Sequence, residues 1–153
     1  MLHVDIPGGD PLRFGHLVMD VNGTLSDRGA VIEGVADRLG ELASDLALHV
    51  LSADTFGTAE ALADQLGASF RRVQTGEDKR AFIEDLGPAR CVAVGNGAND
   101  VPMLSAARLS IAVLGPEGTH SDALRAATIT CLSIVEALDL LLSPQALSAT
   151  LRP

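Results

Sequence analysis

The stretch Leu17-Val18-Met19-Asp20-Val21-Asn22-Gly23-Thr24 decides the fold of this 153-residue chain. A short apolar strand ends at an acidic residue, and Gly23 then lets the backbone turn back. A carboxylate at the end of a buried strand costs free energy unless it has a partner or a function. The stretch therefore predicts either a strand with an ordinary Asx turn, or a site whose backbone N–H groups face an anion.

Short apolar runs and amphipathic stretches alternate along the rest of the chain. Further strands are expected over residues 46–51, 69–73, 91–94, 109–114 and 128–132. Helices are expected over residues 35–42, 59–66, 81–86, 101–107, 123–127 and 134–142. This alternation predicts a three-layer, Rossmann-like α/β fold, with a mainly parallel sheet covered by helices on both faces. We expect one domain over residues 1–153.

The composition excludes several classes of protein. Twenty acidic residues against eleven basic ones give a net charge of −9, which disfavours binding to nucleic acid or to an anionic membrane. The absence of Trp and Tyr removes the usual stacking platform for single-stranded nucleic acid. Neither a secretory signal nor an apolar run of membrane-spanning length is evident. We therefore expect a soluble cytoplasmic protein, in which Cys91 and Cys131 are free thiols.

Polar residues follow three of the predicted strands directly. Asp20, Ser52 and Asn96 stand where the ligand-binding edge of a parallel sheet is expected. Ser52 precedes a helix N-terminus, so its hydroxyl could bind a phosphate oxygen. The alternative is that Ser52, Asp54 and Thr55 only cap that helix.

Lys79 is the only lysine among eleven basic residues. A lysine near a helix start is ordinarily a surface residue, although the first turn of a helix favours acidic residues. Because every other cationic position is Arg, the single Lys suggests a place for a compact point charge that a planar guanidinium would not fit.

The segment Gly95-Asn96-Gly97-Ala98-Asn99-Asp100 crowds polar side chains into a strand-to-helix turn. Oxygen ligands at such a turn suit a hard cation such as Mg²⁺. A glycine-rich turn capped by Asn99 is the alternative. Two later segments are also open: residues 117–120 either line a site or form a plain loop, and the apolar C-terminal segment from Leu138 either packs on the sheet or forms a dimer seam.

In this order, the four motifs at residues 20–24, 52, 79 and 95–100 resemble those of the haloacid dehalogenase superfamily of phosphotransferases. The resemblance covers roughly residues 15–142 and is closest to the phosphorylation domain of P-type ATPases. Residues 51–59 and 95–104 look like that group's second and hinge motifs. The small group called soluble P-type ATPases is the best single label. With so few residues between the motifs, the chain has no room for the cap or nucleotide domain of larger relatives.

The resemblance implies a role for each matching residue. Asp20 would be the nucleophile that forms an aspartyl phosphate, and Lys79 would neutralise charge beside it. The residues implied to bind Mg²⁺ are Asp20, Asn22 through its backbone carbonyl, Asn96 and Asp100. The residues implied to contact substrate are Gly23, Thr24, Ser52, Ala53, Lys79 and Asn99.

Two positions depart from the family pattern. Asn22 stands where phosphatases of the family carry a second Asp as acid and base, and Asn96 stands where an Asp is usual. An amide cannot transfer the proton, so we expect a weak or slow phosphatase. The alternative is a non-catalytic phosphate- or protein-binding module. Expected partners are a small phosphorylated substrate or a phosphoprotein, with no nucleic acid and no membrane, and a homo-oligomer is left open.

Overall fold

The protein is built around a six-stranded parallel sheet. The computed structural model describes residues 1–54 and 57–153. The strands are β1 Leu2–Val4, β2 Leu12–Phe14, β3 His16–Asp20, β4 Ser26–Asp27, β5 Ala30–Val31, β6 Ala47–Ser52, β7 Ser69–Arg72, β8 Cys91–Gly95, β9 Leu109–Val113 and β10 Ile129–Cys131. The central sheet has the order β10-β9-β8-β3-β6-β7, and all of its neighbouring strands are parallel.

Helices cover both faces of this sheet. They are α1 Val35–Leu42, α2 Thr58–Gln65, α3 Gly76–Leu86, α4 Val101–Ala106, α5 Ser121–Ala126, α6 Ile134–Leu141 and α7 Pro144–Leu151. One apolar core includes Leu39 of α1 and Leu138 of α6, and the other includes Ile83 of α3 and Met103 of α4. Burial on both faces explains why β8 and β9 are buried along their whole length.

The predicted fold class is confirmed, and each predicted strand and helix is present. Helix α3 begins ahead of the predicted start because Thr75 forms a capping box with Asp78. The Thr75 hydroxyl accepts from the Asp78 N–H at 3.2 Å, and the Asp78 carboxylate accepts from the Thr75 N–H at 2.9 Å. The C-terminal segment packs on the sheet, since Leu138 and Leu141 belong to the core with Leu147 of the unpredicted helix α7.

Two small hairpins were also not predicted. Strands β1 and β2 pair antiparallel ahead of the central sheet, and β4 pairs with β5 directly after the first motif. The β4–β5 turn has positive φ at both Arg28 (48°) and Gly29 (90°), the combination found in type I′ hairpins. Within the described residues this hairpin is the only element between β3 and α1, which agrees with the expected lack of a cap domain.

The remaining sequence expectations concern thiols and membrane segments. Cys91 and Cys131 are both free. In the described part of the chain no single helix is long and apolar enough to cross a membrane, and α6 with α7 reaches that length and composition only as a pair bent by 99°.

Candidate active site

The candidate site lies at the carboxyl ends of the three central strands. Strand β3 lies between β8 and β6, so the ends of all three strands meet at one edge of the sheet. The chain runs outward from β3 through β6 and β7, and then returns to the other side through β8, β9 and β10. The strand order therefore changes direction beside β3, which is where open parallel sheets bind ligands.

A pocket of about 510 Å³ opens at this edge. Most of the predicted site residues line it: Asp20, Asn22, Ser52, Ala53, Lys79, Asn96 and Asn99. The other lining residues are Arg28, Gly29, Asp54, Thr58, Ala59, Gly97 and Glu117. Three predicted residues, Gly23, Thr24 and Asp100, are buried behind this surface and are not among those that line it.

A buried ion triad forms the floor of the pocket. Lys79 is 2% exposed, and its ammonium group lies 2.9 Å from Oδ1 of Asp20 and 2.6 Å from Oδ1 of Asp100. Burial lowers the pKa of Lys79, but the charges of Asp20 and Asp100 outweigh it, and the net pKa lies above the usual value. Lys79 is therefore a fixed positive charge inside the site, and its interpretation as a surface residue is wrong.

The pKa of the Asp20 carboxyl group is raised above its usual value. Burial, together with the negative charge of Asp100, raises the pKa of Asp20 to about 6, although contact with Lys79 acts in the opposite direction. The hydroxyl of Thr24 lies 3.5 Å from the second carboxylate oxygen of Asp20, and a backbone hydrogen bond from Val21 also lowers the pKa of Asp20. Asp20 is thus an ionised but poorly solvated carboxylate at neutral pH, and a cation beside it would stabilise its charge.

Asp100 is held by contacts on both of its oxygens. One oxygen accepts from Lys79, and the other accepts from the backbone N–H groups of Asn96 and Gly97, each at 2.9 Å. These contacts fix the turn after β8 and leave Asp100 poorly placed to ligate a metal as well. The predicted metal role of Asp100 stays untested, and its geometry favours the role of holding Lys79.

Thr24 links the first motif to the last. Its side chain is fully buried, and its hydroxyl lies 3.2 Å from Oδ1 of Asn96 as well as near Asp20. Two backbone N–H groups of the turn are already paired: the Gly23 N–H donates to the carbonyl of Ser26, and the Thr24 N–H donates to the carbonyl of Val21. The contacts therefore favour a bracing role for both residues over the predicted contact with substrate, because their donors are already used.

The second motif is organised by Asp54. Its two carboxylate oxygens accept from the N–H groups of Ala59 and Glu60, at 2.7 and 3.3 Å, which caps the start of α2. The Ser52 hydroxyl accepts from the Asp54 N–H at 3.1 Å and still faces the pocket. Thr55, which the sequence offered as a further cap, and Phe56 lie outside the described residues.

Two pocket residues were missed or left open by the sequence. Arg28 reaches the pocket from the tip of the β4–β5 hairpin, and two-residue strands give no periodic signal. Glu117 belongs to the loop for which lining the site was one alternative, and the structure confirms that alternative.

The family of this chain follows from its sequence. A family model described as haloacid dehalogenase-like hydrolase matches residues 13–108, which contain all four motifs. The chain belongs to this family of hydrolases. The finer likeness to soluble P-type ATPases stays a prediction.

One relative is similar in sequence over part of the chain. Uncharacterized protein MJ0073 of Methanocaldococcus jannaschii is 43% identical over 63 residues, which cover 41% of this chain and 68% of the relative.

Two solved structures share the fold. The 3-deoxy-D-manno-octulosonate 8-phosphate phosphatase of Moraxella catarrhalis, in complex with a magnesium ion, a phosphate ion and a KDO molecule, has a TM-score of 0.72 at 18% identity, over 86% of this chain and 87% of its own. The cobalt-bound deoxy-D-mannose-octulosonate 8-phosphate phosphatase of Haemophilus influenzae has a TM-score of 0.70 at 17% identity, over 92% and 94% of the two chains.

Proposed function

We propose that this protein is a metal-dependent phosphohydrolase that acts through a phospho-aspartate at Asp20. The observation that carries the proposal is the buried triad, in which one lysine holds the carboxylate of Asp20 at the floor of the pocket. Family membership supports hydrolysis, and the relatives in which the fold recurs include phosphatases. The chemistry then reduces to positioning and charge stabilisation.

The chain's own groups account for the two steps. The carboxylate of Asp20 attacks the phosphorus of a phosphate ester, a P–O bond forms, and the bond to the leaving oxygen breaks. The released alkoxide takes its proton from water, because the amide of Asn22 has no acidic proton to give. Lys79 offsets the negative charge that gathers around Asp20. Water then attacks the phosphorus of the acyl phosphate, which releases inorganic phosphate and regenerates Asp20. Ser52 and the backbone of Ala53 line the pocket where they can hold phosphate oxygens.

The donors present fit a hard divalent cation such as Mg²⁺. Asp20 is a buried carboxylate with a raised pKa, and the carbonyl oxygen of Asn22 and the amide oxygen of Asn96 add neutral ligands at the same edge. When bound, such an ion supplies charge neutralisation for the phosphoryl oxygens. Asp100 would act on the metal site indirectly, because its oxygens already accept hydrogen bonds from Lys79 and from the turn after β8.

Turnover should be slow because of Asn22. Its side chain is exposed and lines the pocket, so it stands where it could meet the leaving oxygen. An amide can neither protonate that oxygen nor activate water, and such groups contribute about 10²- to 10⁴-fold. The open pocket suits a small phosphorylated substrate or a phosphoprotein.

Adduct formation with beryllium fluoride tests the proposal. We expect the wild-type protein with Mg²⁺ to bind beryllium fluoride tightly as an aspartyl-phosphate mimic, detected by ¹⁹F NMR. The Asp20→Asn variant, which keeps the size of the side chain, should form no adduct. Acetyl phosphate should likewise leave a phosphoryl group on Asp20 that mass spectrometry detects.

A non-catalytic binding module is the second candidate, and the amides at Asn22 and Asn96 favour it. Such a module would bind inorganic phosphate in the pocket without adding mass at Asp20. No adduct with any divalent metal would support this candidate and overturn the phospho-aspartate mechanism.

The raised pKa of Asp20 predicts how metal affinity depends on pH. A proton and a metal ion compete for the same carboxylate, so affinity is full well above the pKa of about 6 and falls as the pH drops through that pKa. Well below that pKa we expect about tenfold weaker Mg²⁺ binding per pH unit. Calorimetric titrations at pH 7.5 and pH 5 measure this effect, and equal affinity at both values would contradict it.

A further inference from the structure

The loop after β9 brings one acidic side chain to the pocket. Glu117 is exposed and lines the pocket together with Asp20, Asn22 and Asn96. It comes from a different element than any of the four motifs, and the proposed chemistry leaves it without a role.

Hydrogen bonds to Asn96 fix the loop. The Asn96 side-chain amide donates to the carbonyl of Gly118 at 3.0 Å, and the N–H of His120 donates to the backbone carbonyl of Asn96 at 2.8 Å. The hydroxyl of Thr119 closes the loop on itself by donating to Val113 at 2.6 Å. The residues on either side of Glu117 are thus held, and its carboxylate has a defined neighbourhood.

The carboxylate of Glu117 lies next to Gly23 of the first motif. A Cβ atom on Gly23 would lie 2.5 Å from Nδ2 of Asn96 and 3.0 Å from Oε2 of Glu117. A Cβ atom on Gly115 would overlap the carbonyl oxygen of Gly23. The Glu117 carboxylate therefore lies against the residue that follows Asn22, beside the side chain of Asn96.

Charge distinguishes Glu117 from the other acidic residues of the site. Asp54 uses both oxygens to cap α2, and Asp100 uses both to hold Lys79 and the turn after β8. In the described ranges, the carboxylate of Glu117 makes no hydrogen bond and no ion pair with the protein. Its charge is therefore available to a ligand.

Asn96, one of the two amides that depart from the family pattern, contacts the loop that carries Glu117. An aspartate at position 96 would place a carboxylate against the carbonyl of Gly118, where the amide of Asn96 now donates. The amide of Asn96 therefore adds one hydrogen bond to those that hold the loop, and an aspartate at position 96 would lose it. The loop in turn delivers a carboxylate to the same corner of the pocket.

We propose that Glu117 is the second acidic group of the metal site and supplies the negative charge that Asn96 lacks. The inference rests on the proposed metal dependence and names a ligand that the motif pattern does not contain. Ligand charge sets much of the affinity of an oxygen site for Mg²⁺, so the contribution of Glu117 is measurable as binding.

The test compares two variants that each remove one negative charge. Glu117→Gln keeps the size of the side chain, and Glu33→Gln makes the same change at an exposed residue outside the pocket. We expect Glu117→Gln to weaken Mg²⁺ binding at least tenfold in calorimetry and to alter the electron paramagnetic resonance spectrum of bound Mn²⁺. Glu33→Gln should stay within about twofold of the wild type, because distant surface charges are screened.

The outcomes separate this inference from the proposed function. Wild-type affinity in a folded Glu117→Gln variant, with binding lost in Asp20→Asn, would overturn the role of Glu117 and leave the metal site intact. Equal losses in Glu117→Gln and Glu33→Gln would reduce the effect to general charge and also overturn it. A wild-type protein that binds neither Mg²⁺ nor Mn²⁺ would overturn the metal dependence itself.

Discussion

Replacing Lys79 with methionine is expected to lower the free energy of unfolding by about 3–5 kcal/mol and to abolish adduct formation at Asp20. The ammonium group of Lys79 is the shared partner of two carboxylates, at 2.9 and 2.6 Å, and the side chain is 2% exposed. Methionine fills similar space but leaves Asp20 and Asp100 facing each other without a cation. Urea denaturation at pH 7.5 and the beryllium fluoride experiment measure the two effects.

A double variant separates lost charge from lost packing. In Lys79→Met with Asp100→Asn one of the unpaired charges is removed, so part of the lost stability should return. Suppose that Asp100→Asn lowers the free energy of unfolding by the same amount in Lys79→Met as in the wild type. The two residues are then not coupled, and the ion triad does not stabilise the fold.

Lys79→Arg tests shape at constant charge. A planar guanidinium is bulkier than an ammonium and directs its donors in a fork, which does not match a single point between two carboxylates. We expect this variant to be more stable than Lys79→Met and still unable to form the adduct. Phosphate binding and stability equal to the wild type would mean that the compact charge is not required.

The sheet could be predicted from the sequence because several of its strands are continuous apolar runs. Strands β8 and β9 are buried on both faces, so they appear as continuous apolar runs that end at turn residues. The four strands of the two hairpins have two or three residues each and were not recognised as apolar runs, which is why both hairpins were missed. Arg28 was missed together with its hairpin. Its positive φ of 48°, followed by Gly29, forms the tight turn between β4 and β5, and this angle is known only from the folded chain.

Some residues of the candidate site could be predicted from the sequence, and others could not. Asp20, Ser52 and Asn96 could be placed because parallel strands bring their carboxyl ends to one edge, and Lys79 because it is the only lysine. The contacts of Asp100 and Thr24 could not be predicted, since the sequence does not say which oxygen meets which donor. The position of Glu117 in the pocket could not be predicted either, because it depends on how closely the loop after β9 packs on Gly23 in the folded chain.

Asn22→Asp is expected to raise the turnover of small phosphate esters about 10²-fold or more. The side chain of Asn22 is exposed and lines the pocket, so a carboxyl group fits there without burial. A carboxylic acid at this position can protonate the leaving oxygen and then, as a carboxylate, take a proton from the attacking water. Steady-state hydrolysis of p-nitrophenyl phosphate with Mg²⁺ measures the change.

The pH profile decides whether such a gain has this cause. A new acid and base should give Asn22→Asp a bell-shaped dependence of kcat, with an alkaline limb that the wild type lacks. Asn99→Asp is the matched control, because it adds the same charge at another exposed residue of the pocket. A rise of equal size in both variants would point to tighter metal binding through added charge. A folded Asn22→Asp protein that forms the adduct but hydrolyses no faster would mean that Asn22 is not what limits turnover.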